Sequence, residues 1–219
     1  MKIRELFENT NARPNYMFQY ANHIEQWLSN ILHEPFDDSV GLVNPNDLTV
    51  ELFRDFEIEF KPSEMRPFLL AQFSKCHGDF TIVGNQHFNT LLGCPFEVDG
   101  VFRVRNCHNI TNLEHIPQKA KQYCLYGTEI KDFTNIDKHI KSAEAIAISQ
   151  KINSGLLYFL KIKNLEKIII NTFAGWPWDN PSEPLNKAVN IINKHMKSKD
   201  VIACQRELIE NDLDEFAEL

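Results

Sequence analysis

The residues best able to do chemistry gather between Cys76 and His115: Cys76-His77, His87, Cys94, Cys107-His108 and His115. Cysteine and histidine are the usual zinc ligands, and also the usual partners in nucleophilic catalysis. A structural zinc site needs four ligands converging from fixed spacings, commonly as CxxC or HxxxH pairs. The chain contains neither pair. A nucleophilic Cys or Ser needs a base within hydrogen-bond reach and a third group to orient that base. Cys107 and His108 do not meet this by adjacency, because neighbouring strand residues point to opposite faces. There is no GxSxG elbow and no glycine-rich phosphate loop. Cys94 falls in an apolar slot and reads as a small core residue. The acidic run from Glu207 to Glu218 reads as the solvated face of a terminal helix. These residues predict no catalytic residue, no metal and no cofactor, and hence a protein that is not an enzyme.

The elements that carry them form a repeat. From Gly78 the chain reads GDFTIVGNQHFNTLLGCPFEVDG, and from Gly100 it reads GVFRVRNCHNITNLEHIPQKA. Each copy has a short apolar alternation (Phe80, Ile82; Phe102, Val104) followed by an Asn (Asn85; Asn106). Apolar positions then lead to a proline: Phe88, Leu91 and Cys94-Pro95, then Ile110, Leu113 and Ile116-Pro117. A fainter third copy holds Leu125, Ile130, Phe133 and Ile136. A fourth holds Ile146, Ile148 and Ile152. The anchors Phe88, Ile110, Ile130 and Ile152 are 22, 20 and 22 residues apart. A fixed period of that length marks a leucine-rich-repeat-like solenoid. One unit cannot bury its apolar side alone, but stacked units bury it jointly.

This segment resembles the leucine-rich-repeat-like proteins of tailed bacteriophages. Their repeats run roughly G-G-x-F-x-C-x-x-N-x-L-x-S-L-x-G-x-P-x-x-V. The matching residues are Gly78, Phe80, Asn85, Leu91, Gly93, Pro95, Val98 and Gly100, then Phe102, Leu113 and Pro117. The lead-in (Ile24, Trp27, Leu28; Asn46 to Val50) and the ending (Ile191 to Lys194, then CQRELIENDLDEFAEL) are similar to the same family's flanks. The third to fifth units lack the Gly-Pro punctuation. The resemblance implies a phage origin and supplies no target.

The outward strand positions are the better functional lead. In-register stacking predicts one column of Glu57, Thr81, Arg103, Cys124, Ala147 and Ile169. A second column is Glu59, Val83, Arg105, Tyr126, Ser149 and Asn171. Arg and Tyr are the residue types that anchor protein interfaces. Arg103 and Arg105 lie two apart on one strand, so both guanidinium groups emerge on one side and can grip carboxylates. Glu57, Glu59, Arg103, Arg105 and Tyr126 are therefore the expected partner-binding residues. Trp176 and Trp178, around a proline in a loop, are either a second binding knob or the seal of the solenoid's end, and burial of large aromatics favours the seal.

Length and composition fit this reading. The chain has 219 residues, 43% of them hydrophobic, enough to bury a sizeable core. Its net charge of −7 argues against a general nucleic-acid binder. Five cysteines, an odd count, read as reduced intracellular thiols rather than a disulfide framework. The N-terminal MKIRELFENTN has no apolar signal core, and no run reaches membrane-span length. Composition thus predicts a cytosolic protein, and the phage resemblance implies that the cytoplasm is the host's.

In chain order, residues 1–47 predict a helical cap: a short helix over Met1–Asn9, a longer one over Tyr16–Leu32, and a loop over His33–Asp47. Residues 48–171 predict the solenoid, with strands at Leu48–Leu52 and Phe56–Phe60, an irregular Lys61–His77, and a last strand at Lys167–Ile170. Ser154–Lys163 predicts a helix on the convex side. Residues 172–219 predict a loop, a helix capped by Ser182 with a buried stripe of Leu185, Val189, Ile192 and Met196, and a last helix capped by Asp200. The fold class is thus α/β, a short solenoid of about five mostly parallel strands with helical caps. The function expected is a phage-encoded interaction module that binds and inhibits or sequesters a host protein. The alternatives are an enzyme modifying a host component and a minor virion component. A homo-oligomer is compatible with either reading.

Overall fold

The computed structural model describes residues 14–170 and 182–218. Its secondary structure follows from the alternation at Phe80–Val83, in which Phe80 and Ile82 turn inward to a shared core. That pattern recurs in strands β1 (Gly41–Val43), β2 (Thr49–Leu52), β3 (Phe56–Glu59), β4 (Gln72–Cys76), β5 (Phe80–Val83), β6 (Glu97–Arg105), β7 (Lys119–Cys124), β8 (Ala145–Ile148) and β9 (Lys167–Ile170). They form one nine-stranded sheet. Only β1 and β2 pair antiparallel; every other strand pair is parallel. The chain is an α/β protein built on a β-solenoid of about six turns.

The interior is a ladder of side chains one coil apart. Phe56 pairs with Phe80, Phe80 with Phe102, Phe102 with Tyr123, Tyr123 with Ile146 and Ile146 with Ile168. All six are buried. Ring centroids along the aromatic part are 5.4, 6.2 and 6.1 Å apart, within the range of favourable aromatic contacts. The Tyr123 hydroxyl, the one polar atom in this stack, donates to Pro117 O at 2.7 Å.

The first two coils each carry two strands because a corner interrupts them. Asp55 Oδ1 accepts from the Asp79 amide at 2.8 Å, and Asp79 Oδ1 accepts from the Val101 amide at 2.8 Å. Each aspartate thus holds the next coil's corner. A Cβ on Gly78 would collide with Asp55 Oδ1, and one on Gly100 with Asp79 Oδ1, so only glycine fits there.

Both open ends of the core are sealed. Helix α1 (Pro14–Leu32) buries Ala21 and Leu28 and sets Trp27 6.5 Å from Phe73. Short helix α2 (Ile136–His139) buries Ile136 on the return side of the fourth coil. At the far end, α3 (Glu183–His195) places Asn193 against β9. Asn193 Oδ1 accepts from the Ile168 amide at 2.7 Å, and its Nδ2 donates to Ile168 O at 2.9 Å. A side-chain amide here stands in for the next strand, satisfying backbone groups that an edge would leave open. Ser182 caps α3, accepting from the Leu185 amide at 3.4 Å. Asp200 caps α4 (Val201–Ile209), accepting from the Ala203 amide at 2.9 Å. Leu185, Val189, Ile192 and Met196 are buried, as their spacing predicts.

Several expectations need correction. His33–Asp47 is not wholly a loop, since it contains β1. Lys61–His77 is not irregular throughout, since it contains β4. The strands number nine rather than about five. Ser154–Lys163 contains a 3-10 helix, Leu156–Lys161. The expected helix over Met1–Asn9 lies outside the described residues. Asn106 is also not the equivalent of Asn85. Val83 pairs with Arg105, so Asn85 falls opposite Cys107, and Cys107 bridges to Thr128. Asn85 is buried. Its Nδ2 donates to Lys61 O and Glu64 O at 2.7 and 2.9 Å, and its Oδ1 accepts from the His87 and Phe88 amides at 2.8 and 3.2 Å. Asn106 is exposed at φ 54°, where it serves a left-handed turn.

Two outcomes follow. Asn85→Ala leaves four backbone groups without that partner and is expected to cost about 3 kcal/mol in denaturant unfolding. Asn106→Gly is expected to change stability by less than about 0.5 kcal/mol, because glycine accepts the left-handed conformation. Acid supplies a further test. Hydrogen bonds from Lys151 at 2.8 Å and from Ser154 at 2.6 Å lower the pKa of Glu129 and Asp132, tying the fourth coil to the fifth. Carboxyls depressed by folding stabilise above their unfolded pKa values, near 4, and that contribution is lost as pH falls through the lower folded values. Glu129→Gln with Asp132→Asn should flatten the fall in melting temperature below about pH 4 relative to the parent chain.

Candidate functional site

The outward side of the strands that follow the corners is a continuous face. Its first column is in register throughout: Glu57 pairs with Thr81, Thr81 with Arg103, Arg103 with Cys124, Cys124 with Ala147 and Ala147 with Ile169. The second column is paired from Glu59 through Val83 to Arg105. Successive coils are about 4.8 Å apart, the spacing of hydrogen-bonded strands. The face carries glutamates on the first coil, uncharged Thr81 and Val83 on the second, arginines on the third, and Cys124 and Ala147 beyond.

The two arginines differ in setting. Arg105 is exposed. Arg103 is half-buried; its Nη1 donates to Thr81 Oγ1 at 3.1 Å, and its Nη2 lies 3.6 Å from Asp79 Oδ2. Arg103 thus also braces the corner aspartate of the preceding coil. Glu57 and Glu59 are exposed, and Tyr126 is half-buried just beyond the end of β7. Ala147 is buried although it faces outward, whereas Ile169 is 41% exposed. Trp176 and Trp178 lie outside the described residues. So Glu57, Glu59, Arg103 and Arg105 share one surface, with Tyr126 continuing the Arg105 column.

A second outward ladder escaped the sequence reading. Glu51 pairs with Lys75, Lys75 with Glu97 and Glu97 with Lys119, and bridges continue to Ser142 and Lys163. Charges alternate from Glu51 to Lys119. Lys119 Nζ donates to Glu97 Oε1 at 2.5 Å, and Lys75 Nζ is 3.2 Å from Asp99. His77 sits between carboxylates of the coils on either side, 2.8 Å from Glu51 and 3.0 Å from Asp99. The ladder was hidden because β4, a strand the sequence did not reveal, supplies Lys75, the link between Glu51 and Glu97. Only the Lys75–Glu97–Lys119 spacing of 22 residues could have signalled it. An open groove of about 1140 Å³ runs from this ladder over Ala120, Ala143 and Leu165 to the α3–α4 corner. There Lys199 Nζ donates to Leu165 O at 2.9 Å, and burial lowers its pKa. That contact ties the C-terminal cap to the last coil.

The reactive side chains are positioned for packing. Burial pushes the Cys76 and Cys204 thiols up to about 11 and Cys107 up to about 12, and raises Cys94 well above the usual thiol value. Cys124 is raised too, since burial outweighs the pull of Arg103. Thiols in this state stay protonated near neutral pH and are poor nucleophiles. His108, beside Cys107, is exposed while the Cys107 side chain is buried. The carboxyls that shift, Asp37, Glu129, Asp132 and Glu207, all move down. None of those four is a proton donor at neutral pH. Among the described residues no three His, Cys, Asp or Glu side chains come together as a metal-binding group. No helix of the described residues is long and apolar enough to cross a membrane. What the arrangement offers is a surface with ordered charge.

Alkylation checks the thiol assignment. Four of the five cysteines are buried and Cys124 is half-buried. Brief iodoacetamide treatment of the folded protein at pH 7.5, followed by mass spectrometry, should modify Cys124 slowly and leave the other four intact. In denaturant all five should react.

No protein-family model, curated protein or solved structure matches the chain.

Proposed function

We propose that this chain is a leucine-rich-repeat-like protein of a tailed bacteriophage that works without catalysis, docking its outward sheet face on a host protein and inhibiting or sequestering it. The observation that carries the reading is the in-register face from Glu57 to Ile169, with acids on its first coil, bases on its third and an uncharged coil between them. A solenoid displays one unbroken surface, and Arg and Tyr at its centre are residue types that anchor interfaces. The repeat type is supported by three successive coils. They read Phe80-x-Ile82-x-x-Asn85, Phe102-x-Val104-x-x-Cys107 and Tyr123-x-Leu125-x-x-Thr128, close to the leucine-rich pattern with Asn or Cys in the turn. The raised thiols fit a surface that binds rather than reacts. The host cytoplasm is the compartment this role requires.

Arg105 is the sharper probe of the pair, because Arg103 also holds Asp79 and Thr81. Tagged parent protein and an Arg105→Glu variant are used as baits in bacterial lysate, with circular dichroism confirming equal folding. A host protein retained by the parent should be retained at least tenfold less by the variant, the loss expected at an interface hot spot. Equal retention of every captured protein by both baits would remove the docking face from the proposal.

A further inference from the structure

The charge order on the outward face is self-complementary, and the geometry points to a second copy of this chain as an occupant of that face. Coil by coil the face reads Glu57 and Glu59, then Thr81 and Val83, then Arg103 and Arg105. The glutamates stand one coil before β5 and the arginines one coil after it, about 4.8 Å away on either side. A twofold axis lying in the interface along β5 turns the face onto its own copy and reverses the order of the coils. Glu57 then meets Arg103 of the second copy and Glu59 meets Arg105, and both contacts occur twice. At the centre Val83, half-buried and uncharged, faces its own counterpart, while Thr81 is buried and bound by the Arg103 guanidinium of its own chain. A twofold contact of this kind uses the same patch on both copies and closes at two subunits.

The charges also select this arrangement over its alternative. A twofold axis along the stacking direction would lay the first coil on the first and the third on the third. Glutamates would then oppose glutamates and arginines would oppose arginines, which is unfavourable. Glu59 and Arg105 are both exposed, so they carry most of the cross-contact. Arg103 contributes less, because it already leans on Asp79 and Thr81. The charged contact spans only three coils, so a small interface and rapid exchange with monomer are expected. This inference does not rest on the host-target reading. The face accepts one occupant at a time, and the dimer is measured on purified protein without any host factor.

The test is sedimentation equilibrium at low salt over roughly 10 to 500 µM, the range suited to a small interface. The parent chain should show rising mean mass with concentration. About 0.5 M NaCl should return it to monomer, because it shortens the screening length to a few ångströms. Glu59→Lys makes this pair of positions positive on one chain, and Arg105→Glu makes it negative on the other. Each variant alone should remain monomeric, and an equimolar mixture should associate at least as well as the parent. A parent chain that is monomeric at every concentration overturns the inference. So does a dimer indifferent to salt, a single variant that self-associates like the parent, or a mixture that does not associate. The salt series uses the parent chain, so it decides the matter even if a variant folds poorly.

Discussion

One column of side chains holds the structure together: Phe56, Phe80, Phe102, Tyr123, Ile146 and Ile168, stacked one per coil. Each member is buried only because its neighbours above and below are present. Removing one would strip contact from two coils at once. The ladder also fixes register. Because side chains alternate with a period of two, a slip of one residue would turn the whole column outward and expose it. Arg103 and Arg105 hold their places on the outward face because Phe102 and Val104 hold theirs inside.

A ladder of this kind has no natural end, and the chain supplies two different ones. At the start, α1 lays Leu28 and Trp27 over the first coils, an apolar seal for an apolar opening. At the finish, Asn193 answers the exposed backbone of β9 with both halves of its amide. The first device covers side chains and the second covers hydrogen-bonding groups. Lys199, donating to Leu165 O, adds a third tie between cap and coil. The acidic corner residues work along the same axis. Asp55 and Asp79 each accept from the backbone of the next coil, and the glycines beside them make room.

The charges are sorted by surface. The ladder alternates in sign from Glu51 to Lys119, and its charges are met locally: Glu97 by Lys119, Lys75 by Asp99 and Glu51 by His77. Exposed pairs of this sort add little stability. The face from Glu57 to Ile169 instead groups its charges by coil, with acids on the first and bases on the third. Arg103 there leans on Asp79 and Thr81 of its own chain, whereas Glu57, Glu59 and Arg105 are exposed. This difference between the two surfaces, and not the net charge of −7, distinguishes a candidate interface from a solvated sheet.

The amino-acid sequence was enough for the repeat, its period near 22 residues, the inward alternation at Phe80–Ile82 and Phe102–Val104, and the composition of the outward column. These are local patterns, and a period of two within a strand and a near-constant period between coils are legible without knowing what touches what. It also determined the caps of α3 and α4 at Ser182 and Asp200, since capping is decided within one turn. The tertiary structure alone decided the rest. β4 was invisible because Gln72–Cys76 follows a stretch broken by Pro62 and Pro67, and its strand exists only through pairing with β2 and β6. Asn85 and Asn106 look alike in the two copies, yet only the pairing of Val83 with Arg105 shows that Cys107 inherits the buried slot. Arg103 read as a free outward arginine until Asp79, 24 residues beyond its equivalent Asp55, was placed beside it. Contacts between coils join residues some twenty positions apart, and at that distance the physical neighbours of a side chain are set by register, which the chain acquires only when it stacks.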